Sequence, residues 1–196
     1  MTDQVGTGEI DPRLSHSDTP EKIFAKRRLS KFELSAFAIL LVNVSLIVIA
    51  FYPGYLGTDS IYQYLRALNI IHMSDYHPPA MVLVWQSLMK IFSSKSYGLI
   101  FLFHMTLMTV GLWFTFLGAY RFTGKKECLA IVLIPPFPQV LGISAALWKD
   151  VGHGFSLLAG LGIILYSWST DRSNRVQSVS LFAISVLLLF YGFLAP

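Results

Sequence analysis

An all-α fold, a polytopic transmembrane helix bundle, is what this chain predicts, on three observations. Hydrophobic residues make up 54% of the 196 positions and charged residues only 13%, where soluble domains carry roughly 25% charged residues. Apolar runs near the length that crosses a bilayer core recur along the chain. The basic residues gather at the ends of those runs, as membrane topology requires. The expectation is about five spans with juxtamembrane amphipathic helices beside them.

Residues 1–25 are polar and rich in Asp, Thr, Ser and Gly. They lack the basic start and short apolar core of a signal peptide, and they read as a disordered cytoplasmic tail. Residues 26–196 form the membrane domain. Lys26, Arg27, Arg28 and Lys31 hold its first end inside. Spans are predicted at about Phe32–Tyr52, Tyr97–Tyr120, Cys128–Leu147, Val151–Trp168 and Gln177–Leu194. The third contains Pro135, Pro136 and Pro138. It should be kinked and packed inside the bundle, where neighbours or water satisfy the freed carbonyls.

A further apolar run, Pro79–Phe92, is short and carries Gln86 and Lys90. Those features predict an interfacial segment rather than a span. Loop charges agree. If that run does not cross, Arg121, Lys125, Lys126, Arg172 and Arg175 all share the cytoplasmic side with the Lys26–Lys31 cluster. The external side then holds the loop from Pro53 to Ser96 and the tight turn at Trp148, Lys149 and Asp150. Between Ser60 and Ile71, the residues Ile61, Tyr64, Leu65, Leu68 and Ile71 recur at helical spacing. Gln63, Arg66 and Asn69 take the other side of this amphipathic helix. Thr58 or Asp59 is its expected N-cap.

The net charge of +4 is a consequence of topology, and no nucleic-acid partner is implied. A single cysteine, Cys128, excludes an intrachain disulfide and reads as a small buried hydrophobe. No Walker motif, dinucleotide fingerprint, Cys cluster or His-x-x-x-His pair is present. What remains is a pair of carboxylates. Asp59 follows the first apolar run and Asp150 stands between the third and fourth, so both lie at one water–lipid boundary. That placement suits chemistry on a lipid-linked substrate.

The first external loop resembles that of the GT-C superfamily, polytopic glycosyltransferases that use polyprenyl-phosphate sugars. The matching residues are Thr58-Asp59-Ser60, the helix over Ile61–Ile71, and Asp75-Tyr76-His77-Pro78-Pro79. A long apolar helix, the basic turn Arg121–Lys126, a proline-containing helix and a second acidic site at Trp148-Lys149-Asp150 continue the order. Ser60 stands where many members carry a second acidic residue. The likeness covers about residues 30–170 and is strongest with a bacterial branch carrying Pro-Gly-Tyr, Asp-Ser and Trp-Lys-Asp.

The resemblance implies an inverting sugar transfer on the outer face of a bacterial inner membrane, with the N-terminus cytoplasmic. The donor is a polyprenyl-phosphate sugar, and the acceptor is a cell-envelope glycan, lipid or protein. The family module has about seven spans, so this chain is expected to be its N-terminal part and to be inactive alone. Asp59 is the expected base, with helix capping as its plain alternative. Asp150 would orient the acceptor or hold a divalent cation, if one is used, or else be a solvated turn residue beside Lys149. His77, Arg66, Lys149 and Asp75 are the remaining substrate-binding candidates. His77 and Asp75 are equally natural as turn residues, and Arg66 and Lys149 as contacts to membrane lipids. His104 and His153 read as satisfied packing histidines, with lining the cavity as the alternative, and Tyr52, Tyr55, Tyr62, Tyr64, Tyr76, Trp85 and Trp148 as an aromatic belt, with stacking on a sugar ring as the alternative. A transporter or channel component, or a non-catalytic scaffold, is the alternative class.

Overall fold

The computed structural model of the chain describes residues 29–72, 79–169 and 175–194. Among these, every regular element is helical: α1 (Lys31–Phe51), α2 (Thr58–Ala67), α3 (Pro79–Ile91), α4 (Gly98–Thr123), a 3-10 helix (Lys126–Leu133), α5 (Pro138–Ser144), α6 (Lys149–Ser169) and α7 (Arg175–Leu194). The predicted tail over 1–25, and Asp75 and His77, lie outside the described residues.

Three described helices, α1, α4 and α6, are long and apolar enough to cross a membrane, and the 3-10 helix with α5 makes a fourth if the bent pair is one span. The predicted span over Cys128–Leu147 is therefore divided, with a bend of 47° between its halves. α7 is 20 residues long, and its part with described side chains, Val179–Tyr191, is apolar. Among the described residues three of the expected spans are matched by full-length apolar helices, or four with the bent pair, and the expected span over Gln177–Leu194 falls on α7.

The start of α1 is fixed by a capping box. The Ser30 hydroxyl accepts the Glu33 N–H at 3.2 Å, and the Glu33 carboxylate accepts the Ser30 N–H at 2.7 Å, satisfying two of the donors a helix start leaves over. Ala36, Leu40, Val44 and Ile47 make its buried stripe, while Leu34, Val42, Leu46 and Ile49 are exposed. An apolar face of that extent is a liability in water and the natural surface in lipid.

The centre of the bundle is a parallel pair, α4 and α6, in register at seven-residue intervals. His104 lies against Gly152, Gly111 against Ala159, and Gly118 against Tyr166. A Cβ on Gly111 would come within 2.9 Å of the Ala159 backbone, and one on Gly118 within 2.8 Å of that of Tyr166. Small residues let the two backbones meet this closely, which is how membrane helices gain packing energy without a hydrophobic drive. Gly124, at φ 70°, takes the left-handed conformation that ends α4, and its N–H donates to Tyr120.

Two parallel helices need a crossover. The chain leaves α4 beside Cys128, whose Sγ is 3.5 Å from the Thr123 hydroxyl, and rejoins the other end at Leu147. That crossover is the bent pair. Its break at Pro135–Phe137 frees carbonyls, and the Asn43 side chain donates to the Val132 carbonyl at 3.2 Å. The kink and a partner for a freed carbonyl are present, but the pair is not enclosed in the bundle as expected, since Leu133, Ile134, Phe137 and Ile143 are exposed. Cys128 is half-buried rather than fully enclosed.

One end of the bundle is tied by a buried ion pair. Arg121 donates through Nε to Glu33 at 3.0 Å and through Nη1 to the Tyr166 hydroxyl at 3.2 Å, joining α4, α1 and α6. At the other end Tyr52, after α1, packs on Gly98 at the start of α4. The segment from 53 to 97 therefore leaves and rejoins the bundle at the same end. This is the path expected of a segment that does not cross. The Tyr64 hydroxyl donates to the Lys95 carbonyl, and Gln86 donates to Asn69 at 2.9 Å, fixing α2 against α3.

The orientation of α2 corrects the sequence reading. Ser60, Gln63 and Ala67 are its buried residues, while Ile61 and Tyr62 are exposed. Of the polar residues expected on the far side of the helix, Gln63 is buried and Arg66 half-buried, while Asn69 is exposed. On the apolar side Ile61 is exposed, while Tyr64 and Leu68 pack against the core, and an exposed apolar residue is tolerated where a helix meets lipid. The N-cap is Gly57, with no side-chain capping bond, in place of Thr58 or Asp59.

Candidate functional site

Two loops meet at the end of the bundle opposite the ion pair. The Tyr55 N–H donates to the Ala145 carbonyl at 2.7 Å, and the Leu147 N–H donates to the Tyr55 carbonyl at 2.9 Å. These bonds form a short parallel bridge. The Ser60 hydroxyl adds a third tie, donating to the Leu147 carbonyl at 2.7 Å. Gly57 is required by close approach, since a Cβ there would sit 2.7 Å from the Trp148 indole nitrogen.

These ties bring the first turns of α2 and α6 to one cavity of about 390 Å³. Tyr55, Gly57, Thr58, Asp59, Ser60, Trp148, Lys149 and Asp150 line it. Asp59 and Asp150, separate in sequence, thus share one pocket with Lys149. Both carboxylates are exposed. Asp150 is not in a tight turn as expected, since it and Lys149 belong to the first turn of α6.

First-turn residues of α2 and α6 line the cavity, and a helix start leaves N–H groups unpaired and carries the positive end of the dipole. An acidic residue in such a first turn is stabilised by that field, which accounts for both aspartates without chemistry. The field also favours an anionic ligand group, and Lys149 adds a full positive charge. The pocket therefore combines proton-accepting carboxylates with anion-attracting groups.

Arg66 is not brought to this cavity. It lies in the last turn of α2, half-buried. Tyr55, Thr58, Ser60 and Trp148 are lining residues that the sequence reading treated as neighbours or belt aromatics. Their signal was adjacency to the acidic positions. His104 is fully buried, as a packing histidine should be, but neither ring nitrogen has a partner among the described residues, so it is not the satisfied histidine expected. No group of three or more His, Cys, Asp or Glu among the described residues is arranged to hold a metal ion.

Comparison with protein-family models, curated proteins and solved structures gives no match.

Proposed function

We propose that the chain is a membrane glycosyltransferase of the GT-C type, or the N-terminal portion of one, that transfers a sugar from a polyprenyl-phosphate donor. The observation that carries this reading is the convergence of Asp59, Asp150 and Lys149, from two helix starts, on one pocket at the end of membrane-length helices. A lipid-anchored donor is confined to that depth, so its reactive phosphate and the pocket meet there. Charges at the bundle end, rather than midway along it, favour this reading over a transport path.

In this mechanism Asp59 accepts the proton of the acceptor hydroxyl as its oxygen bonds to the anomeric carbon. The bond from that carbon to the phosphate oxygen breaks, and its electron pair leaves with the lipid phosphate. Lys149 and the N–H groups opening α2 and α6 stabilise the departing anion. Asp150, on the opposing wall, orients the acceptor. The outer face of a bacterial inner membrane, with a cell-envelope acceptor, is the setting this chemistry implies.

The test uses membranes that carry the protein in an active form, a panel of radiolabelled polyprenyl-phosphate hexoses, and endogenous acceptors. Asp59→Asn keeps shape and removes basicity, so kcat should fall about 10²–10⁴-fold, the usual cost of a lost general base, with expression unchanged. Near-full turnover in Asp59→Asn together with none in Asp150→Asn would move the base to Asp150.

A further inference from the structure

Burying a polar side chain without a partner costs roughly 1–3 kcal/mol, so each such group needs an explanation. Among the described residues, Gln63, Trp85, His104, Ser167 and Tyr191 carry buried polar atoms of this kind. Two of them adjoin the helix turns that line the pocket. Gln63 is one helical turn from Asp59 and shares the buried face of α2 with the lining residue Ser60. His104 packs against Gly152, two residues past Asp150, and a Cβ on Gly152 would come within 2.7 Å of its Nε2. Gln63 is 1% exposed and His104 0%, and both amide atoms of the one and both ring nitrogens of the other are unpartnered.

The chemistry of these atoms is specific. An amide offers donors and an acceptor, and a neutral imidazole offers one of each. A phosphate presents acceptors only and is served by the cationic mouth at Lys149. A hydroxyl is both donor and acceptor, so a polyhydroxylated ring suits both residues at once. We propose that the pocket opens inward on binding and that Gln63 and His104 form a carbohydrate subsite reading the hydroxyls of a sugar ring. This deepens the reading given above and rests on it. The Ser60 hydroxyl, which lines the pocket and donates to the Leu147 carbonyl, lies one turn before Gln63 on the same face of α2.

The test separates a ligand subsite from a structural one by measuring stability and binding together. Purified protein in nanodiscs is melted alone, with methyl glycosides of glucose, galactose, mannose, N-acetylglucosamine and arabinose, and with citronellyl phosphate as a sugar-free lipid phosphate. At least one glycoside should raise the Tm of the wild type. Gln63→Met and His104→Leu should melt at or above the wild-type temperature, because they remove unpaired polar groups. They should also bind that glycoside about 10-fold more weakly, the loss of one to two hydrogen bonds, with citronellyl phosphate binding unchanged. Three results would overturn the subsite: no response of the wild type to any glycoside, variants that melt lower or fail to fold, and variants that bind the glycoside as the wild type does. Citronellyl phosphate reports on the mouth alone. Its binding without any glycoside response would remove the subsite and leave the lipid-phosphate reading standing, and its failure to bind would remove that reading.

Discussion

Pro136 has no N–H, so the Val132 carbonyl lacks the donor that a regular helix would supply four residues on. Asn43, in the middle of the most apolar helix of the chain, supplies one from α1 at 3.2 Å. This explains why an amide is kept in a lipid-facing helix and how the broken crossover holds its place. Asn43→Leu should destabilise the fold by about 1–2 kcal/mol, the range for a lost hydrogen bond between membrane helices. Asn43→Asp should be at least as damaging, because an ionised carboxylate accepts and cannot donate. Denaturation by increasing SDS fraction measures both, and a wild-type curve for either would mean that the Val132 carbonyl is satisfied some other way. At this scale the sequence was informative where a polar residue stood at the edge of an apolar run. Asp59, Lys149 and Asp150 were legible for that reason, and they share a pocket. Gln63 was not legible, because its burial depends on which side of α2 meets the bundle, and residue identity does not reveal that.

The contact between α4 and α6 depends on glycines at defined positions rather than on helix propensity. A Cβ at Gly162 would lie 2.7 Å from the Gly111 carbonyl and 2.8 Å from the Thr115 hydroxyl, whereas one at Gly154 meets nothing within 4 Å. Both glycines are on the same helix, so they form a matched pair. Gly162→Ala should destabilise by about 1–3 kcal/mol through overpacking. Gly154→Ala should be neutral or stabilising by up to about 1 kcal/mol, since alanine is the better helix former. Equal melting temperatures for the two would show that the helices do not pack in this register. The elements themselves were largely legible. Helix starts and ends for α1, α3, α4 and α6 fall within a few residues of expectation because apolar run length and flanking charge set them. The face of α2 was not. Amphipathic reasoning assumes that water lies outside, and at a lipid boundary the apolar side of a helix is as well placed facing out as facing in. The division of the third span was legible in its prolines, but its path as a crossover between two parallel helices needs the heptad register of α4 on α6.

For the molecule as a whole, the fold makes one statement about sidedness and the charges make another. The buried Arg121–Glu33 pair and the pocket mark opposite ends of the bundle, and the segment from 53 to 97 returns to the end it left. Positions 58 and 95 must then lie on one side of the membrane and position 125 on the other. Which side is outside follows from the basic residues, since Lys31, Lys125 and Lys126 cluster at the ion-pair end and that end should be cytoplasmic. Thr58, Lys95 and Lys125 are all exposed, so each accepts a cysteine without disturbing the core. With Cys128→Ala as background, a membrane-impermeant thiol reagent should label Thr58→Cys and Lys95→Cys in intact cells and Lys125→Cys only after permeabilisation. The outcomes divide cleanly. Labels at 58 and 95 on opposite sides would mean that α3 crosses the membrane and that the packing of Tyr52 on Gly98 is wrong. A complete reversal, with only Lys125→Cys reached from outside, would leave the helix arrangement intact and place the pocket in the cytoplasm. An outer-face sugar transfer would then be impossible, while a lipid-phosphate site on the inner leaflet would still fit the same two aspartates and Lys149.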